Sequence, residues 1–300
     1  MSAAVGLHVA EVVMATGDFE VALGFWQELL GLVILDRADG VDIGTASLWR
    51  IETQAVGRRV LLGRPGGLCA IHLVELTTPG EPLRSGAGPL DALPKTLNLL
   101  VRDLPALWER LRGRGALMKG GWVEYEHEGG TYRDAHVLGP DCTNIGLLEI
   151  VGADYPVNAQ GVGEPASFTF TVSDMAAEQA FYVALGGQLR LDRFFDGPAI
   201  EALVGLPPGG SLDMKLYGPG QAAARVELVS YGMPMRSRYA EAHMPATGAL
   251  TVHLCGADMA RAAAALQPYA PQIIDAAPWG VSRPTLLATA PSGARVSISA

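Results

Sequence analysis

Three carboxylates recur in strand-like surroundings along this chain. Glu75 lies in IHLVEL (71–76), Glu149 in GLLEIV (146–151) and Glu227 in ARVELV (224–229), each among strand formers with few other polar groups. A buried carboxylate is costly unless it is paired, protonated or bound to a cation. Acids placed this way point to metal coordination or to proton transfer by a group with a raised pKa. A fourth segment, ARVSIS (294–299), carries Ser297 at the matching place, so the acid is not needed to build the segment. Glu11 adds an acid in another strand-like run. His8, three residues earlier, falls on the opposite face of a regular strand, and a bulge would bring it round. His72 has opposite parity to Glu75 and is expected on the helix side or in solvent. The richest polar stretch, WVEYEHEGGTYRDAHV (122–137), places Tyr125, His127, Tyr132, Asp134 and His136 on two strands joined by a Gly-Gly turn. A second unusual stretch, DRFFDGPAIEALVGLPPGG (192–210), reads as a pocket cover or an interface.

The elements that must hold these residues repeat. The matched positions lie 74, 78 and 70 residues apart, longer than the roughly 20–50 residues of solenoid repeats and suited to a supersecondary unit used four times. Four upstream segments read alike: EVVMATGDFEVALGFW, TLNLLVRDLPALWERL, SFTFTVSDMAAEQAFY and TVHLCGADMARAAAAL. Each opens as a strand, reaches an aspartate (Asp18, Asp103, Asp174, Asp258) and continues as an amphipathic helix. Aspartate suits the N-cap because it accepts from orphan helix amides and complements the helix dipole. Two or three strand-like runs follow, giving an α+β chain of four βαβββ modules. Proline- and glycine-rich linkers occupy 77–95, 152–166 and 232–249. A lone module leaves one sheet face bare, so modules should pair. The middle linker predicts two cup-shaped mixed-sheet domains, 1–155 and 163–300.

Composition narrows the function. The net charge is −9 and no Lys/Arg cluster stands out, which argues against nucleic acid and anionic membranes as partners. Cys69, Cys142 and Cys255 are too far apart for a CxxC zinc site, and a reducing cytoplasm fits them. There is no signal-peptide pattern and no apolar run of about 18 residues.

The strand–Asp–helix openings, with GFWQELLGL in the first module and AFYVALGG in the third, resemble the vicinal oxygen chelate superfamily, as do the endings GPDCTNIGLLEI and APSGARVSI. That superfamily includes glyoxalase I, bleomycin-resistance proteins, methylmalonyl-CoA epimerase and extradiol dioxygenases. The resemblance covers nearly the whole chain. It implies metal ligands from two places per module: the opening strand, seven residues before the Asp, and the acid on the last strand. Carried over by position, these are Glu11, Glu75, Thr96 and Glu149 in the first domain, and Ser167, Glu227, Thr251 and Ser297 in the second. One carboxylate with three hydroxyls makes a weak divalent site. Iron-dependent ring cleavage would need histidines at 167 and 251 and an acid at 297, so that reaction is not expected. In the first domain, Glu11, Glu75 and Glu149, with His8 as alternative ligand, would favour Mg2+, Mn2+ or Ca2+ over Zn2+. The resemblance therefore implies a lyase or isomerase acting by proton transfer on a small oxygen-bearing molecule. Glu75 and Glu149 would be catalytic, with Thr96, Asn98, Tyr125, Tyr132 and His136 around the substrate. The alternative is a metal-free protein that sequesters a small molecule. A homodimer is compatible with either.

Overall fold

The computed structural model describes residues 6–41, 43–127, 129–220, 223–276 and 283–300. Four modules follow one another. The first comprises β1 (His8–Thr16), α1 (Phe19–Gly24), β2 (Val33–Asp39), α2 (Ile43–Trp49), β3 (Val56–Gly63) and β4 (Ala70–Leu76). A short strand, β5 (Asp91–Ala92), leads to the second module: β6 (Pro94–Val101), α3 (Leu104–Gly113), β7 (Leu117–His127), β8 (Gly130–Leu138) and β9 (Asn144–Ile150). The third has β10 (Val162–Thr171), α4 (Met175–Ala184), β11 (Leu189–Phe195), α5 (Pro198–Val204), β12 (Leu212–Tyr217) and β13 (Arg225–Tyr231). After β14 (Arg236–Ser237), the fourth has β15 (Gly248–Cys255), α6 (Met259–Ala265), β16 (Gln272–Ala276), β17 (Arg283–Thr289) and β18 (Arg295–Ile298). The four aspartates cap their helices as expected. The carboxylates of Asp18, Asp103, Asp174 and Asp258 accept from the amides of Val21, Ala106, Ala177 and Arg261 at 3.1, 3.3, 2.9 and 3.0 Å.

The modules do not pair in sequence order. One eight-stranded sheet runs β16-β17-β18-β15-β1-β4-β3-β2, and the other runs β11-β12-β13-β10-β6-β9-β8-β7. Module one thus joins module four through antiparallel β1 and β15, and module two joins module three through antiparallel β6 and β10. The expected division at 155–163 is corrected accordingly: residues 1–155 and 163–300 each supply half of both sheets. Linker length gives the reason. The stretch between β9 and β10 is short and delivers β10 directly beside β6, where the Arg102 amide donates to the Gly161 carbonyl at 2.8 Å. The two longer linkers cross between sheets side by side. They pair through β5 and β14, and the Leu83 amide donates to the Thr247 carbonyl at 2.9 Å.

Alternation along each strand divides the side chains between a helix face and a cup face. On β6, Leu97, Leu99 and Val101 are fully buried in the shared core, whereas Thr96 and Asn98 face the cup. One continuous apolar core takes residues from both sheets, with Trp26, Phe168, Phe170 and Phe181 fully buried in it.

Candidate functional site

The parallel pairing of opening and closing strands fixes which closing-strand residue reaches each cup floor. Val13 pairs with His72, Asn98 with Gly146, Thr169 with Glu227 and His253 with Ser297. All four opening-strand members stand five residues before their capping aspartate. Glu227 and Ser297 therefore occupy the position anticipated for them. Glu75 and Glu149 lie three residues beyond His72 and Gly146, an odd step that turns them to the helix face. There Glu75 accepts from Arg58 Nη2 and Nε, both at 2.8 Å, and from the Arg58 amide at 2.9 Å. These bonds hold its carboxyl below the usual range. Glu149 accepts from the Asp103 and Leu104 amides, both at 2.9 Å, at the N-terminus of α3. The expectation that Glu75 and Glu149 face each other as catalytic or metal-binding acids is thus corrected; one meets an arginine and the other helix amides.

Modules two and three enclose a chamber of about 420 Å3. Thr96, Asn98, Tyr125, Tyr132 and His136, the residues proposed from sequence for substrate contact, all line it. Glu227 stands on its floor. Its Oε2 accepts from Ser167 Oγ at 2.7 Å and Asn98 Nδ2 at 3.1 Å, and its Oε1 accepts from Thr169 Oγ1 at 3.0 Å. Burial raises its carboxyl above the usual range, against the opposing effect of the two hydroxyls. Asp134, also in the lining, is pushed well up by burial and then by the charge of Glu227. His136 places Nδ1 3.1 Å from the Leu203 carbonyl. A carbonyl only accepts, so Nδ1 carries the proton, and burial, followed by Lys95 and Lys119, lowers the imidazolium to about 3. The ring is neutral at pH 7 and presents Nε2 as an acceptor. Sequence reading missed Lys95, Arg190, Arg225 and Tyr231, which also line the chamber.

The curl of the sheet and one helix wall the chamber. β7 and β11 are opposite edges of the same sheet, yet Tyr125 and Phe195 meet at 6.2 Å, and Tyr125 stacks on Tyr132 at 5.7 Å. Helix α5 lies on β7 and β8, with Ile200, Leu203 and Val204 in the lining. The 192–210 stretch is thus a cover. Gly205, at φ 78°, ends α5 in the left-handed region that glycine tolerates.

The cup of modules one and four is filled. Its floor holds Glu11, His72, His253 and Ser297 around only about 50 Å3. The expectation for His72 is reversed: it is buried in this cup, its Nδ1 2.9 Å from Glu11 Oε2 and its ring 5.0 Å from Trp49. His253 meets Ser297 Oγ at 2.9 Å through Nδ1 and Ser299 Oγ at 3.1 Å through Nε2. The register of β1 slips between Val9 and Glu11, but His8 pairs with Cys255 and places its Nδ1 2.9 Å from the Gly6 carbonyl, outside the lining.

No protein-family model matches the chain, and no curated protein matches it in sequence. Among solved structures, glyoxalase I from Zea mays superimposes with a TM-score of 0.65 at 16% identity, covering 98% of this chain and 92% of that one. A protein from Bacillus subtilis subsp. subtilis str. 168, provisionally described as a dioxygenase, gives 0.61 at 10% identity, covering 99% and 86%. The chain has the vicinal oxygen chelate fold. Such likeness concerns the backbone, and function must come from the side chains.

The vicinal oxygen chelate fold implies metal donors on the cup floors, and the residues present do not fit one. The chamber offers two carboxyls, Glu227 and Asp134, both raised by burial and the first already hydrogen-bonded, and Gly146, at the matching floor position of module two, brings no donor. In the other cup, Glu11, His72 and His253 are suitable donor types and would suit a zinc- or iron-like ion better than the Mg2+, Mn2+ or Ca2+ expected from an all-oxygen set. They are engaged instead with one another and with serines. Among the described residues, no three His, Cys, Asp or Glu side chains come together as a ligand set. Ser167 lies in one cup and Thr251 and Ser297 in the other, so the three positions used to set aside ring cleavage do not form one site. That exclusion loses its basis in the vicinal oxygen chelate fold as this chain builds it. Among the described residues, no helix is long and apolar enough to cross a membrane.

Proposed function

We propose that this protein is a glyoxalase-like enzyme that moves a proton on a small oxygen-bearing organic molecule held in the chamber of modules two and three, with Glu227 as the proton-transfer group. The observation that carries this is the setting of Glu227. It is a carboxyl on the floor of a deep cavity, bonded by neutral donors and raised by burial. Such a group suits the removal of a proton beside a carbonyl better than an exposed acid does. Tyr125 stays a phenol, because burial and then Asp134 raise it further, and so remains a donor toward a developing enolate oxygen. Neutral His136 offers Nε2 to a substrate hydroxyl, and the stacked tyrosines supply a flat apolar wall.

The reading is tested by proton exchange. The protein is incubated in D2O with a panel of α-hydroxy ketones and 2-oxo acids, and the C–H signal beside the carbonyl is followed by NMR. Exchange above the buffer rate that falls at least tenfold in Glu227→Gln supports it. Exchange that survives the substitution, or none across the panel, overturns it. A second reading, binding without turnover, is favoured by the α5 cover and by the engagement of both Glu227 oxygens. It would give saturable binding with no exchange.

A further inference from the structure

We propose that Lys95 is a covalent carbonyl-binding residue whose amine condenses with an aldehyde or ketone in the chamber of modules two and three to form an imine. The inference rests on the chamber reading but not on the chemistry assigned to Glu227.

The chain has 22 lysines and arginines, of which only Lys95, Lys119 and Lys215 are lysines. An arginine keeps its charge in any protein setting, whereas a lysine can shed its proton and become a nucleophile. Lys95 is 5% exposed and is the lysine in the chamber lining. Among the described residues no carboxylate pairs with it; its hydrogen-bond partner is the Tyr231 hydroxyl, and its Nζ lies 4.3 Å from the centre of that ring. Burial, and then the charges of Arg84 and Lys119, hold its ammonium well below the usual lysine range, opposed by Glu227. Lys215 makes the contrast. It is ion-paired with Asp192 at 2.5 Å and Asp213 at 3.5 Å, and these partners keep it an ammonium. The same residue type thus sits in two opposite settings, and the one whose ammonium is disfavoured faces the cavity.

The step balances without an added reagent. The Nζ lone pair attacks the carbonyl carbon and forms the C–N bond, while the C=O π pair moves to oxygen. The Tyr231 hydroxyl can give that oxygen a proton and recover the one the nitrogen sheds. A second proton transfer from nitrogen to oxygen releases water and leaves the C=N bond. Burial keeps Tyr231 a phenol, as this relay requires.

The full-length protein is treated at pH 7 with benzaldehyde and then with borohydride, which reduces any imine to a stable amine. Intact mass and peptide mapping locate the adduct. The expected result is near-stoichiometric labelling of Lys95, at least tenfold above Lys119, Lys215 and the N-terminus. Labelling should be lost in Lys95→Arg and retained in the Lys119→Arg/Lys215→Arg double variant. Should Lys95→Arg fail to fold, the double variant decides alone, since its remaining side-chain amine is Lys95. In parallel, ligand-observed NMR with benzyl alcohol, the same ring without a carbonyl, reports chamber occupancy. Saturable alcohol binding with Lys95 labelled no more than the other amines overturns the imine and leaves the chamber. Absence of both binding and labelling overturns both.

Discussion

Glu178 on α4 is fully buried, and it accepts from the Ser292 amide and hydroxyl, both at 2.9 Å, on the turn between β17 and β18. It ties a helix of module three to a turn of module four. Burial raises its carboxyl from 4.5 to about 7, opposed by the two bonds from Ser292. A raised carboxyl binds its proton more tightly when folded. Its stabilising contribution is therefore complete below about 4.5 and is lost as the pH rises through about 7. Glu178→Gln keeps an acceptor for Ser292 and removes the titration. Between pH 5 and pH 8 the unmodified protein should lose roughly 2–3 kcal/mol relative to this variant, an order of magnitude taken from the size of the shift. Urea unfolding of both proteins at both pH values measures the difference, and equal pH dependence would refute the assignment.

Helices α2 and α5 hold the same place in their modules, between the second and third strands, and treat the cups differently. Helix α5 spans the mouth of one cup and leaves a chamber. Helix α2 enters the other and sets Leu48 and Trp49 against the floor residues. The closeness of α2 to β16 depends on Gly44, because a Cβ there would collide with the Asp275 carbonyl. Gly44→Ala should force α2 outward and cost about 1–3 kcal/mol, as overpacking typically does. A drop in thermal midpoint with the binding chamber unaffected is expected, and an unchanged midpoint would show that α2 has room to shift.

The pairing of module one with four and two with three makes the molecule one folding problem. Residues 1–155 contain β1–β4 and β6–β9, each set being half of a different sheet. Expressed alone, that half exposes β1 and β6 as unpaired apolar edges, which invite misassembly. We expect neither 1–155 nor 156–300 to fold as a stable monomer, and the two to recover native circular dichroism when refolded together. Two separately cooperative melts would show that sequential pairing is accessible after all.

The sequence by itself determined the four-module plan. Each helix needs a cap, and the four aspartates bind their helix amides locally, within three residues. It also located the chamber-lining strands, since Thr96, Asn98, Tyr125, Tyr132 and His136 follow from alternation along β6, β7 and β8. It did not determine which acids face a cup. Glu75 and Glu149 repeat like Glu227, but a register offset of three residues reverses the face, and that offset is set by pairing with a strand 59 residues earlier for the first and 48 for the second. Nor did it determine which modules share a sheet, because the openings of all four are alike and only the lengths of the crossing linkers tell them apart. The filling of one cup and the chamber left in the other, and the burial that disfavours the Lys95 ammonium, arise from what packs around them, so they exist only in the tertiary structure.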